Sequence, residues 1–415
     1  MKKIFFAIFV FSLFPIFAEL HPARRYVEIG NLLNVTASEN VMPLNEIFKK
    51  KLVLDLKKIY SEMSGDGASM GLSVNEEVYI DCSFKTFGIG LHATTSLDMN
   101  MNISKDLFKV VENVAPGKVY NAEANLWAES FAVFSVPVKF AVDKWRVKIT
   151  PSYFIPVFYF PSTTVSGYAV NGVDGSVTVS AVAPFEFYTV SEFKGLIKDG
   201  DFSTDFVKNL DSGTLSNSML SSGGIDLNAA VEYPLFETFD VGGYLSLPIL
   251  PGRMKHKVSA MATLSVHTDS LMQTIIDGNS PSTTAEFSDA KYSSANYSVN
   301  RPFRIGAECA WRPLGRWLAL RGLLGLGLRN PFGKDVTIKS LYPEYRLAAD
   351  VTALGMFGLS FSTEYRNKIF AHGVGVMLNF RAVEFDVFAA VCSSSFIQSF
   401  KGEGASAGVG VKFGW

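Results

Sequence analysis

Three cysteines, Cys82, Cys309 and Cys392, are too few and too widely spaced for a disulfide framework. They show no CxxC or Cys/His ligand spacing, and one thiol stays unpaired in any monomer. Buried or wall-facing thiols are the expectation. A bias of charge is also lacking. The 38 basic and 39 acidic residues leave a net charge of −1, which gives no electrostatic case for a nucleic-acid partner. The five histidines, His21, His92, His256, His267 and His372, form no Ser/His or metal-ligand cluster in the sequence. No catalytic residue, metal or cofactor is therefore expected. Long apolar runs are missing too. After residue 18 no stretch of about 18 apolar residues occurs, so no second spanning helix is available. Yet mean hydropathy is +0.20, with 35 Phe and 34 Gly. The apolar residues are abundant and dispersed, and dispersal at period two is what a membrane barrel needs.

What is present begins with a leader. Lys2 and Lys3 precede the apolar run Ile4 to Ala18, with a small residue at its end. A charged start, a short apolar core and Ala18 predict that residues 1–18 are a signal peptide, with cleavage expected after Ala18.

Residues 19–75 do not read as membrane strands. Leu44, Ile47, Phe48, Leu52, Leu56, Ile59, Tyr60 and Met63 recur at three- and four-residue spacing, with lysines mostly between them. This pattern predicts an amphipathic helix from Pro43 to Met63. Two placements are open: a plug inside the lumen, or a periplasmic helix. A second helix is expected at 104–113, with Ser104 as its N-cap.

From residue 76 to 415 the chain reads as barrel wall. At the C-terminus Ala405, Ala407, Val409, Val411, Phe413 and Trp415 alternate with Gly404, Ser406, Gly408, Gly410, Lys412 and Gly414. One face suits lipid and the other a lumen. Trp145, Val147, Ile149 and Tyr153 alternate with Arg146, Lys148, Thr150 and Ser152, following a tight Asp143-Lys144 turn. Ile225 to Tyr233 and Phe303 to Trp311 repeat the pattern, with Asp226, Glu232, Arg304 and Glu308 on the polar side. About fourteen strands are expected, starting near 84, 122, 145, 176, 224, 237, 256, 302, 316, 344, 357, 369, 382 and 404. The tight connection at Pro234 to Glu237 breaks the alternation of short turns and long loops, and two more strands within 190–223 and 268–301 would restore it. The Ser/Thr/Asn-rich stretch 268–301 reads as an external loop. Trp127, Trp145, Trp311, Trp317 and Trp415, with Tyr153, Tyr159, Tyr233 and Tyr365, are candidates for interfacial girdles.

In its ARRYVEIG segment (Ala23 to Gly30), its LVLDLKKI helix (Leu52 to Ile59) and its closing GVGVKFGW (Gly408 to Trp415), the chain resembles the FadL-like outer-membrane transporters. The resemblance implies a barrel of about fourteen strands with an N-terminal hatch over 19–75. It implies uptake of long-chain fatty acids or similar hydrophobic molecules from the cell surface across the bacterial outer membrane. The Asn-Pro-Ala hatch motif of the better-known members is not present in residues 19–43. Arg24, Arg25, Arg146 and Lys148 are candidate carboxylate or lumen partners, and Phe48, Leu52 and Leu56 are candidate conduit residues. Arg24 and Arg25 equally fit a solvated periplasmic pair. Pro151 and Pro156 cannot donate to a ladder and mark either a lateral gap or the fraying outer rim. Val411, Phe413 and Trp415 resemble the terminal signal read by the barrel-assembly machinery. Outer-membrane lipid and a monomeric state complete the expectation. An adhesin-like or structural barrel is the alternative, and a general porin is disfavoured by the apolar, Phe-rich composition.

Overall fold

The computed structural model describes residues 26–40, 67–109, 117–173, 176–192, 197–198, 201–202, 220–268, 282–288, 290–333, 336, 340–366 and 368–415. The described residues are almost wholly antiparallel strand. In order these are β1 (Val27–Glu39), β2 (Ala68–Ser83), β3 (Phe87–Ile103), β4 (Val119–Ser135), β5 (Val138–Val142), β6 (Trp145–Asn171) and β7 (Val177–Thr189). A two-residue pair follows, β8 (Ile197–Lys198) and β9 (Asp201–Phe202). Then come β10 (Gly224–Phe236), β11 (Phe239–Leu250), β12 (Gly252–Thr268), β13 (Ser282–Phe287), β14 (Lys291–Val299) and β15 (Phe303–Trp311). The wall ends with β16 (Leu318–Leu328), β17 (Leu341–Ala353), β18 (Phe357–Arg366), β19 (Ile369–Asn379), β20 (Val383–Ser393) and β21 (Gly404–Gly414). A single helical turn, α1 (Phe396–Ser399), precedes β21.

The sheet closes on itself. β21 pairs with β1, with Ala405 opposite Ala37 and Phe413 opposite Ile29. Several strands share one place in the wall. β7 and β10 stand end to end between β6 and the continuous β11–β12 run. β13, β14 and β15 likewise follow one another along that run's other side. Counted by place, the barrel has fourteen strands. The expected number is met, but by offsetting errors. Residues 27–39 and 68–75, expected in a hatch, are wall. The separately counted starts at 176 and 224 share one place, and so do those at 237 and 256. This sharing also removes the misfit of the Pro234–Glu237 turn, because β10–β11 then turns at the same end as the other short connections.

That end carries the turns 84–86, 143–144, 237–238, 312–317, 354–356 and 380–382. Turn chemistry fixes several of them: Asp143, Leu354 and Arg381 adopt positive φ, as does Gly355. The opposite end carries the longer connections, among them 40–67, 104–118 and 394–403. Two loop expectations are corrected. Residues 282–287 and 291–299 are strand rather than loop. Lys105–Phe108 is a short 3₁₀ turn, and Ser104 does not cap it; its Oγ accepts from the Glu123 N–H at 3.0 Å instead. The predicted helix at 43–63 lies outside the described residues, which contain no helical plug.

Alternation sorts the side chains. Outward positions are apolar: Leu324 and Leu326 on β16, Leu347 and Val351 on β17, Val374 and Val376 on β19, and Phe385 and Val387 on β20 are all exposed. At the short-turn end Phe84, Phe87, Trp145, Phe236, Trp311, Trp317, Phe357, Phe380, Phe413 and Trp415 are exposed aromatics. They form a ring of the kind membrane interfaces favour. Trp127 and Tyr159 do not belong to it and face inward, as described below. Inward glycines admit large rings: a Cβ at Gly325 or Gly306 would meet Tyr244 within 2.6 Å. All three cysteines are free, and Cys392 is fully buried. Leu324 is 67% exposed at mid-strand. Leu324→Arg is expected to destabilise the barrel in a bilayer by about 2–4 kcal/mol, read from denaturant titration in lipid vesicles.

Candidate functional site

The inside of the barrel is filled by side chains that meet across it. Phe131 and Val133 of β4, Phe154 of β6, Met254 of β12 and Val299 of β14 form one buried apolar cluster. Tyr159, Tyr188 and Tyr297 pack against it. Tyr297 stacks on Tyr188 at 4.0 Å between centroids and on Tyr159 at 5.6 Å. Arg329, just past β16, lies over the Trp127 ring of β4 at 3.6 Å and 3.9 Å from Glu129. β4 and β16 are not neighbours in the wall. The contact therefore spans the lumen.

Toward the short turns the inner face changes character. Arg301 pairs with the buried Asp226 at 2.9 Å. Arg304 donates to the Tyr342 hydroxyl at 3.2 Å and lies 3.6 Å from Glu344. Arg321 pairs with Asp350 at 2.6 Å, Arg146 with Glu232 at 2.7 Å, and Arg312 with Asp240. On the facing wall Lys412 bridges Glu384 and Asp386 at 2.8 Å and 2.9 Å. His92 lies 2.5 Å from Glu77 and 3.1 Å from Asp81, which pairs with Lys139 at 2.7 Å. Charges buried in this way persist only as pairs. An apolar molecule entering this column would break ion pairs without replacing them.

Beside the apolar cluster the wall itself is interrupted. On β6 the ladder to β10 ends at Phe154 opposite Gly224, and the ladder to β7 begins at Phe158 opposite Thr189. On the other flank the pairing stops at Leu250 and resumes at His256. The chain leaves the wall after Thr189 and returns at Gly224. The ends of that excursion supply the missing partners. The Val190 N–H donates to the Val157 carbonyl at 3.3 Å, and the Arg253 N–H donates to the Ser222 carbonyl at 2.8 Å. The Tyr153 hydroxyl donates to the Leu220 carbonyl. Above this point β6 and β7 are again unpaired between Tyr159 and Ser166.

Of the residues singled out from the sequence, Arg24, Arg25, Phe48, Leu52 and Leu56 lie outside the described residues. Arg146 is engaged by Glu232 on the inner face near the turns, and Lys148 follows it on the same face of β6. Pro151 is within a regular stretch of ladder, opposite Leu227. Pro156 stands opposite Phe131 beside a bulge at Val157, at the edge of the interruption. Val411 and Phe413 point outward on β21, and the Trp415 carbonyl accepts from the Tyr26 N–H at 2.7 Å. Glu129, Arg329, Tyr188 and Tyr297 escaped the sequence reading, and Tyr159 was read as a girdle residue. Arg304, Glu308, Asp226 and Glu232 were legible as inward from alternation alone.

A closed antiparallel barrel, apolar without and charged within, defines an outer-membrane-type β-barrel. Solved structures of this architecture include FadL-like hydrocarbon transporters. The toluene transporter TbuX of Ralstonia pickettii is 7% identical, with 94% of this chain and 90% of that chain covered and a TM-score of 0.43. The toluene transporter TodX of P. putida is 6% identical over 94% and 89%, at 0.44. The monoaromatic hydrocarbon channel CymD is 10% identical over 95% and 89%, at 0.43. Likeness at this level carries no argument about cargo or role. No family model matches the sequence, and no curated protein is detectably similar to it.

Two outcomes are expected from the inner face. Arg329→Ala removes the cross-lumen contact and raises ion conductance in planar bilayers over that of the unaltered barrel. Asp226→Ala leaves the half-buried Arg301 without its carboxylate and is expected to destabilise the barrel, read as a lower denaturation midpoint in vesicles.

Proposed function

We propose that the barrel takes up hydrophobic small molecules, long-chain fatty acids or hydrocarbons among them, and releases them sideways through the interruption between β7 and β10. One observation carries the reading. The apolar and aromatic cluster around Phe131, Phe154, Met254 and Val299 lies at the level where the wall ladder stops. Toward the turns the lumen is lined with ion pairs. An apolar ligand at the cluster meets a charged column along the axis and a short unpaired stretch of wall beside it. The lateral path is the one that does not desolvate charge. A site of this kind binds through apolar contact with a few polar groups for orientation, and the three tyrosine hydroxyls supply such groups.

On this reading the long connections face the cell exterior and receive the cargo. The terminal strand with Val411, Phe413 and Trp415 serves insertion. The test uses the full-length barrel in liposomes, with labelled oleate and labelled toluene as ligands. Uptake of either above protein-free liposomes is the expected result, and uptake of neither overturns the transport reading. The lateral route is tested by Val157→Cys with Val190→Cys in a chain whose native cysteines are serine. Oxidation ties the excursion to β6 and is expected to stop uptake, which reduction restores. Uptake undiminished by a formed disulfide excludes this exit.

A further inference from the structure

We propose that the outer face of β1 and β2 is where two copies of this chain meet in the membrane. Away from the strand ends, the outward positions of the described transmembrane ladder carry one carboxylate, Glu76 of β2. Its direction is fixed by register. Glu76 stands opposite Leu33 and Thr95, on the face that exposes Val78 and Ile80. The intervening Glu77, Tyr79 and Asp81 point inward, where they contact His92, Glu28 and Lys139. Beside Glu76, the Asn31 side chain of β1 donates to Oε1 at 3.3 Å.

The pair lies within the apolar band. Val78 and Ile80 continue outward toward the turns, and Val74, Leu72 and Met70 continue toward the loops. A carboxylate and an amide facing acyl chains are unfavourable there and retain unmet hydrogen-bonding capacity. A second copy meets that capacity. Asn31 is a donor, Glu76 is an acceptor, and they sit on adjacent strands. A two-fold axis along the membrane normal between β1 and β2 sets the amide of each copy against the carboxylate of the other. That is the self-complementary arrangement of an isologous contact. Leu33, Val35, Val74 and Val78 surround the four polar groups with apolar surface.

Two native thiols report on the face. Cys82 shares the outward side of β2 with Glu76. Cys309 is outward on β15, which lies about half-way round the closed wall from the β1–β2 seam. Bacterial membranes holding the full chain are treated with a short bis-maleimide. The chain carrying Cys309→Ser and Cys392→Ser, which keeps Cys82, is expected to give a cross-linked band at twice the monomer mass. The chain carrying Cys82→Ser and Cys392→Ser, which keeps Cys309, is not. Adding Asn31→Leu and Glu76→Leu to the first chain is expected to abolish the band while the barrel keeps its heat-modifiable migration. Equal cross-linking through Cys82 and Cys309 indicates random collision and overturns the proposal. So does a band unaffected by the double substitution, a product joined to a different protein, or no product.

Discussion

A hydrocarbon surrounding offers no partner to a backbone N–H or carbonyl, so each such group in the wall must find one within the protein. The ladder from β1 round to β21 meets this requirement, and its closure by Ala37–Ala405 through Ile29–Phe413 removes the two edges that an open sheet would expose. Everything else about the molecule is arranged around that ladder. Alternation places Leu324, Val376 and Val387 outside and Arg321, Asp350 and Glu384 inside. Wherever the ladder fails, some other group has to take over. Between Phe154 and Phe158 the carbonyl of Val157 is served by Val190, and beyond β11 the N–H of Arg253 is served by Ser222.

The interior solves a second problem. A barrel of this size has more room than one layer of side chains fills. Here opposite walls touch. Arg329 reaches the Trp127 ring and Glu129, and Phe131 packs with Met254 and Val299. Arginine suits the first contact because its flat cation both stacks on an indole and pairs with a carboxylate. The interior is thus graded, from rings to ion pairs, and the grading rather than any one residue separates a place for apolar matter from a region that refuses it.

The sequence spoke clearly where lipid lies on one side of a strand and ion pairs on the other. Ile225 to Tyr233, Phe303 to Trp311 and Ala405 to Trp415 alternate, and all three are wall. It was silent where either face departs from that contrast. In β1 the outward Asn31 and in β2 the outward Glu76 break the apolar row, and β1 with the first half of β2 was assigned to a hatch. In β14 the run KYSSANYSV carries polar residues on both faces and resembles a loop. Tyr159 was placed at an interface because the alternation was carried unbroken along β6. A bulge at Val157 shifts the register against β4 and puts that ring inside, opposite the buried Glu129. Trp127 sits at the irregularity between Leu126 and Ala128 on its β6 side, and its partner Arg329 comes from a distant strand, which single-strand periodicity does not see.

The end-to-end placing of β7 and β10 also bears on how the chain assembles. Most neighbours in the wall are hairpins, joined through one connection and able to zip from it. The β7–β12 pairing is different: Thr189 meets His256 only across the whole β10–β11 hairpin. The enclosed chain must be gathered before those bonds form, and such closure carries a larger entropic cost than a hairpin does. The upper wall on this side is therefore a late arrival during folding, dependent on a lower hairpin already in position.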